Sequence, residues 1–183
     1  LDDKERKLLA TDLMIGDANG PMCMAGVYGG KDSGVSEGTT TIFLESACFN
    51  GTFVRRSSLA HQLRTDAAVR FEKGTDVNQT IPVLNRAARL MAELGAGTVT
   101  GPLIDVYPSP VVPVTVTLTR RYLLQLSGKA YEPADVTRIL SRLGFTIISN
   151  TEDGWTMQVP SYKTDIHLPA DIVEEIMRID GLD

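Results

Sequence analysis

The sequence predicts an α+β fold, a mixed or antiparallel sheet with packed helices, followed by a second, small α+β domain. Three observations predict it. Two apolar runs between Asp12 and Gly30 flank the turn Ala18-Asn-Gly-Pro, which is hairpin chemistry. Leu84, Ala87, Ala88, Met91 and Leu94 recur at three- and four-residue spacing, as one face of a helix does. Pro108-Ser-Pro-Val-Val-Pro then breaks the pattern, and beyond it Val112, Val114, Val116 and Leu118 alternate with polar positions as in a half-buried strand. The division implied is residues 1–108 and 109–183.

Gly26, Gly29 and Gly30 end the hairpin, where glycine permits positive φ and the close approach of a backbone or ligand; a tight turn alone would also explain them. Neither a dinucleotide fingerprint nor a P-loop is present. Lys31–Thr40 is a polar loop, and Thr41–Phe49 reads as a short strand whose apolar run Glu45 interrupts. A buried carboxylate is costly unless paired or hydrogen-bonded, so either Arg55, Arg64 or Arg70 neutralises Glu45, or it is an acceptor aimed into a pocket. Asn50 is a good N-cap for a short helix reaching Leu63. From Leu63 to Asp76 no helix or strand period fits: Arg64, Asp66, Arg70, Glu72, Lys73 and Asp76 crowd around Thr65, Ala67 and Ala68. That is either a loop whose charges hold each other around a small-walled space or a solvated connector. A packing helix follows over Asn78–Leu94, stopped by Gly95, and Gly95–Tyr107 returns as a strand.

In the second domain Thr119 caps a helix over Arg120–Leu126. Pro133 opens another, with Val136, Ile139, Leu140 and Leu143 on one face and Gly144 after it. Phe145–Ser149 and Trp155–Val159 form a hairpin around Asn150-Thr-Glu-Asp-Gly, and a last helix spans Ala170–Ile179. About 75 residues of helix and small sheet can close one modest core; the pattern resembles small nucleic-acid-binding folds.

A chain of 183 residues that is 43% hydrophobic and 22% charged is not disordered. No apolar run approaches the roughly 20 residues of a membrane span, and the opening Leu1-Asp-Asp-Lys-Glu-Arg-Lys lacks a signal-peptide core, so a soluble chain with no visible routing signal is expected, and its cysteine usage favours the cytoplasm. It starts with Leu, which suggests a piece of a longer polypeptide. Cys23 and Cys48 stand in apolar runs without metal-ligand spacing, as buried reduced thiols do. The net charge of −5 argues against a generally basic surface but is unevenly spread. Asn50–Gly74 carries five basic side chains against two acids, and Asp165–Asp183 six acids against Arg178 alone, so a polyanion is drawn to the first region and repelled by the second.

Ala25-Gly-Val-Tyr-Gly-Gly, Leu44-Glu-Ser-Ala-Cys-Phe, Leu63-Arg-Thr-Asp-Ala, Arg70-Phe-Glu-Lys-Gly-Thr-Asp, Val159-Pro-Ser-Tyr-Lys-Thr-Asp and Asp171-Ile-Val-Glu-Glu-Ile, in that order, resemble the beta subunit of bacterial phenylalanyl-tRNA synthetase. The resemblance implies that residues 1–108 are the later part of an editing module that hydrolyses tyrosine wrongly attached to the phenylalanine tRNA. It places the editing pocket at Gly29, Glu45, Thr65 and Ala67. Those residue types suit the task. Gly29 and Ala67 leave room for a ring, and Glu45 can accept a hydrogen bond from the phenolic hydroxyl that separates tyrosine from phenylalanine, a discrimination of roughly 10⁴ or more. Glu45 is then a specificity residue rather than a general base, and positioning of water and of the terminal ribose suffices for a labile ester. His61 is expected on a solvent-facing helical surface.

The resemblance also implies Mg2+ at Asp165, Asp171, Glu174 and Glu175, shared with an alpha subunit in a two-alpha, two-beta enzyme whose ATP and phenylalanine sites lie outside this chain. Asp171, Glu174 and Glu175 share a helix face at i, i+3 and i+4, and magnesium needs only one or two protein carboxylates. Acids in a first helical turn also favour the helix dipole without any metal. The other function class open to the sequence is a non-catalytic RNA-binding or subunit-assembly module.

Overall fold

In the computed structural model, which describes residues 2–95 and 97–181, the chain divides into two units, Leu1–Asp105 and Val106–Asp183. Leu1, Ala96, Leu182 and Asp183 lie outside the described residues, and with them one residue of the strand expected over Gly95–Tyr107 and one of the C-terminal acids.

The first unit opens with the expected hairpin. Strand β1 (Met14–Asp17) pairs antiparallel with β2 (Gly20–Met24), with a register shift between Ile15 and Gly16. The turn closes because the Asp17 carboxylate accepts the amides of Asn19 (2.8 Å) and Gly20 (3.2 Å), an Asx turn. Helix α1 (Gly51–Ala60) starts where Asn50 predicts, its side chain accepting the Thr52 amide at 3.0 Å. Leu63–Asp76, expected as a loop, contains helix α2 (Asp66–Glu72), capped by Thr65 and carrying Asp66 in its first turn. Two turns are too few for an apolar period to show, and α2 buries only Ala68. A 3-10 turn (Val77–Gln79) leads into α3 (Thr80–Gly95).

Four more expectations for this unit need correction. Thr41–Phe49 is not a strand: no described strand pairs with it, and Ile42 and Phe43 are exposed. Gly97–Tyr107 is likewise irregular, with Val99, Leu103, Ile104 and Val106 exposed. Alternation marks a segment able to join a sheet, but a strand also needs a neighbour for its backbone. Helix α3 forms but buries none of its side chains; Leu94 is 86% exposed. The core of the unit is instead Met24, Val27, Val54 and Ala68, with Met14, Tyr28, Phe49, Leu63 and Phe71 packed against it. Of the two thiols, Cys48 is exposed and Cys23 half-buried, so neither is the fully buried cysteine expected.

The second unit follows its sequence closely. Strand β3 (Thr115–Thr119) runs into α4 (Arg120–Ser127), whose cap is the Thr119 hydroxyl accepting the Tyr122 amide at 3.2 Å. Helix α5 (Pro133–Arg142), β4 (Thr146–Asn150), β5 (Gly154–Gln158) and α6 (Pro169–Asp180) complete it. The antiparallel sheet has the order β3-β5-β4, with Val116 opposite Met157 and Leu118 opposite Trp155. Those inward residues meet Val136 and Leu140 of α5 and Ile172, Val173 and Ile176 of α6 in one core. Trp155 is 1% exposed. Its indole N–H donates to the Thr137 hydroxyl at 3.1 Å, and the Arg120 guanidinium lies 4.7 Å from the ring centroid while donating to the Glu152 and Thr151 carbonyls. A buried indole with its donor satisfied and its face covered is held in one orientation.

The turn from α5 into β4 depends on Gly144. Its φ is +86°, and a Cβ there would lie 2.1 Å from the Tyr162 hydroxyl, which donates to the Leu143 carbonyl at 2.7 Å. Gly144→Ala is therefore expected to destabilise the second unit by about 1–3 kcal/mol, read from the urea midpoint. In a Tyr162→Ala background, where the clash is gone, the remaining cost is the smaller one of the backbone conformation alone.

Candidate functional site

The site is built on the turn that leaves β2. The Met24 amide donates to the Tyr28 carbonyl at 2.9 Å, and the amides of Val27 and Tyr28 return to the Met24 carbonyl at 3.0 and 3.1 Å. Gly26, at φ +68°, makes this reversal possible. The Thr65 hydroxyl donates to the Val27 carbonyl at 2.7 Å and accepts the Ala68 amide at 3.1 Å, so one side chain both caps α2 and fastens it to the turn. The segment before α1, the hairpin, α2, the 3-10 turn and the start of α3 thereby border an open cavity of about 670 Å³. That is within the roughly 300–1,000 Å³ typical of small-molecule sites.

Gly29, Glu45 and Ala67 line this cavity. Thr65 does not line it; its hydroxyl is committed to Val27 and Ala68. Glu45 is exposed toward solvent at the cavity edge, not buried within a strand. It has no hydrogen-bond or ion-pair partner among the described residues. Arg64, one of the cations expected to neutralise it, makes a two-pronged pair with Glu72 at 2.6 and 2.7 Å, and neither Arg55 nor Arg70 forms an ion pair with it. Partial burial raises the Glu45 pKa above the ordinary glutamate value. The neighbouring Cys23 thiol is pushed up as well, first by its own burial and then by the Glu45 charge. Sequence reasoning missed Phe49 and Phe71 in the lining. Phe71 follows Ala67 by four residues on one face of α2, but no helical period in the sequence marked that face.

His61 is not on a solvent-facing surface. At the C-terminal end of α1 its side chain is 8% exposed, and Nε2 lies 2.7 Å from Asp12 Oδ2. The Asp12 side chain is fully buried and also accepts the Ser57 hydroxyl at 2.6 Å and the Leu9 amide at 2.8 Å. Burial pushes the Asp12 carboxyl up, but the Leu9 amide, Ser57 and His61 together outweigh it and hold its pKa below the ordinary 3.8. This network joins the segment entering β1 to α1.

The four acids of the second unit are not gathered into a cation cage. Asp171 Oδ2 accepts the amides of His167 (2.8 Å) and Leu168 (2.7 Å), closing the N-terminus of α6 and holding its carboxyl below the ordinary value. Glu175 pairs with Lys163 at 2.6 Å and with Arg178 at 2.8 Å. Burial raises its pKa, but these two cations more than offset that. Asp165 and Glu174 are exposed. Among the described residues no cluster of three or more histidine, cysteine or acidic side chains is arranged to hold a metal ion.

Residues 1–96 match the B3/4 domain model, and residues 116–182 match the tRNA synthetase B5 domain model. Over its whole length the chain is similar to proteins named phenylalanine–tRNA ligase beta subunit. Identity is 49% to that of Porphyromonas gingivalis and 42% to that of Bacteroides fragilis, each over 99% of this chain and 22% of the relative. It is 40% to that of Protochlamydia amoebophila, over 100% of this chain and 23% of the relative. The chain thus spans under a quarter of the length of the curated relatives it matches.

The Asp12 network and the clasp on α2 can each be tested. Because Asp12 has a lowered pKa when folded, its contribution is complete above the ordinary aspartate value and is lost as pH falls through the folded one. Asp12→Asn is expected to cost about 1–3 kcal/mol at pH 7, with the gap to the parent chain narrowing below about pH 4; urea melts across that range check it. Thr65→Val is expected to cost about 1–2 kcal/mol and to speed amide exchange at Ala68 while leaving the second unit's amides unchanged.

Proposed function

The chain belongs to the B3/4 domain family and continues into a tRNA synthetase B5 domain, and from that premise we propose that it serves within a phenylalanine–tRNA ligase beta subunit as the proofreading part of the enzyme. Residues 1–108 would form part of the editing module and 109–183 the small domain after it. The observation that carries the reading is that Gly29, Glu45 and Ala67 line one cavity in which Glu45 has no protein partner among the described residues.

The substrate on this reading is tyrosine esterified to the terminal ribose of the phenylalanine tRNA. Gly29 and Ala67 leave space for the aromatic ring, and the unclaimed Glu45 carboxylate accepts the phenolic hydroxyl. Phenylalanine offers that acceptor no donor, and where the docked tRNA end excludes water from Glu45 the missing hydroxyl costs far more than shape alone provides. Water adds to the ester carbonyl and the carbon–oxygen bond to the ribose breaks, releasing tyrosine and the uncharged tRNA. Ester lability leaves this chain the work of positioning. Thr65 acts from outside the cavity, by holding α2 and therefore Ala67 in place. The basic stretch from Arg55 to Lys73, on and between α1 and α2, suits the approach of a polyanionic tRNA end.

ATP-dependent activation of phenylalanine belongs, on the same reading, to the alpha subunit in a cytoplasmic enzyme. No helix among the described residues is long and apolar enough to cross a membrane. For magnesium, the residues fit a partial site better than the four-carboxylate set. Asp171 and Glu175 are committed to backbone and cationic donors, which leaves Asp165 and Glu174 to contribute beside groups of the partner subunit. Bound there, the ion would supply electrostatic cross-linking of the two subunits.

The test is deacylation of tyrosyl and phenylalanyl esters of the phenylalanine tRNA by the complete two-subunit enzyme. Glu45→Ala is expected to reduce the preference for the tyrosyl ester by about two orders of magnitude or more. Unchanged discrimination in a folded variant would instead favour an assembly or RNA-binding role for the module.

A further inference from the structure

We propose that Phe49 and Phe71 form the wall that recognises an aromatic side chain in this cavity, so that the site selects its substrate by ring as well as by hydroxyl. The inference rests on reading the cavity as an ester-hydrolysing pocket, and adds to it the groups that hold the ring.

The two rings lie 5.1 Å apart between centroids, inclined at 52°. Each is half-buried: one side packs against the Met24, Val27, Val54 and Ala68 core, and each also lines the cavity. Aromatic rings attract one another edge to face or offset at about 4.5–7 Å, because the ring edge is electropositive and the face electronegative. A tilted pair open to a cavity therefore offers a third ring both an edge and a face. An aliphatic side chain of similar volume gains the apolar burial but not that quadrupole attraction. The third cavity aromatic, Tyr28, is engaged elsewhere, with the Arg6 guanidinium 5.6 Å from its ring centroid.

Gly26 sets the position of this wall. A Cβ at that residue would lie 3.0 Å from the Phe49 ring and 3.1 Å from the Phe71 ring, so the absence of a side chain lets both rings rest directly on the turn backbone. The same turn carries Val27, whose carbonyl receives the Thr65 hydroxyl. Ring wall and α2 are thus referenced to one piece of backbone, with Ala67 and Phe71 both on α2.

The experiment compares the phenylalanine tRNA charged with tyrosine and the same tRNA charged with leucine as deacylation substrates of the complete two-subunit enzyme. Phe71→Leu and Phe49→Leu are each expected to raise KM for the tyrosyl ester about three- to tenfold while moving the leucyl ester less than about twofold; Phe71→Tyr should keep the parent preference. Equal losses on both esters, or no loss on either, overturn the ring wall. Should Phe71→Leu fail to fold, Phe71→Met fills the space with an unbranched chain and carries the same expectation. Glu45→Ala in the same assay separates the two levels of inference. If it erodes hydroxyl discrimination while the ring variants change nothing, the wall is wrong and the pocket stands. If all of these variants are silent, the pocket reading fails and the wall with it.

Discussion

A single hydroxyl connects the parts of the first unit that define the cavity. Thr65 donates to the carbonyl of Val27 and accepts the amide of Ala68, so the turn after β2 and the first turn of α2 are held by the same oxygen. Ala67 and Phe71 enter the cavity from α2, and Gly29 enters from just beyond the turn. The unit has a small core of four buried residues, so its geometry depends more on such directed contacts than on bulk burial. A hydrogen bond tolerates little change in distance or angle, whereas apolar packing tolerates rearrangement.

Four carboxylates illustrate how environment decides what an acid does. Asp12 is buried with three donors around it and serves as a joint between segments. Asp171 satisfies the open amides before α6, and Glu175 lies between two cations. Glu45 differs from all three in having no such donor and in having its pKa shifted upward. An acid left without a partner beside an apolar cavity has its acceptor capacity available to a ligand. The same logic argues against treating the C-terminal acids as one group, since two of them have already spent their lone pairs on the protein.

Much of the second unit was legible because its signals are local and mutually consistent. Thr119 as a cap, Pro133 at a helix start, Gly144 after the apolar face and alternation in β3 all point to the elements that form. The first unit was harder to read for a physical reason. Thr41–Phe49 and Gly97–Tyr107 have strand-like composition, but a strand is a pairing between segments, and composition says nothing about whether a partner is present. Helix α2 was hidden because Arg64 and Glu72, eight residues apart, look like loop charge until the helix brings them together. His61 was misplaced because its burial comes from Asp12, 49 residues earlier. Of the candidate site, Gly29, Glu45 and Ala67 were named through the family resemblance, and their side-chain size and charge only agreed with it. The contribution of Thr65 through backbone, and that of the two phenylalanines, required the tertiary arrangement.

The unequal cores have a consequence for how this molecule responds to heat or denaturant. Among the described residues, a cluster of fourteen buried side chains that includes Trp155 closes in the second unit, against one of four that includes Val54 in the first. Cooperativity comes from a shared core, and these two clusters are separate. Local opening is then easier within the smaller cluster than within the one that holds Trp155. A tryptophan fluorescence signal reports on the larger cluster, because the chain's one tryptophan lies in the second unit. Loosening confined to the cluster beside the cavity is optically silent by that probe.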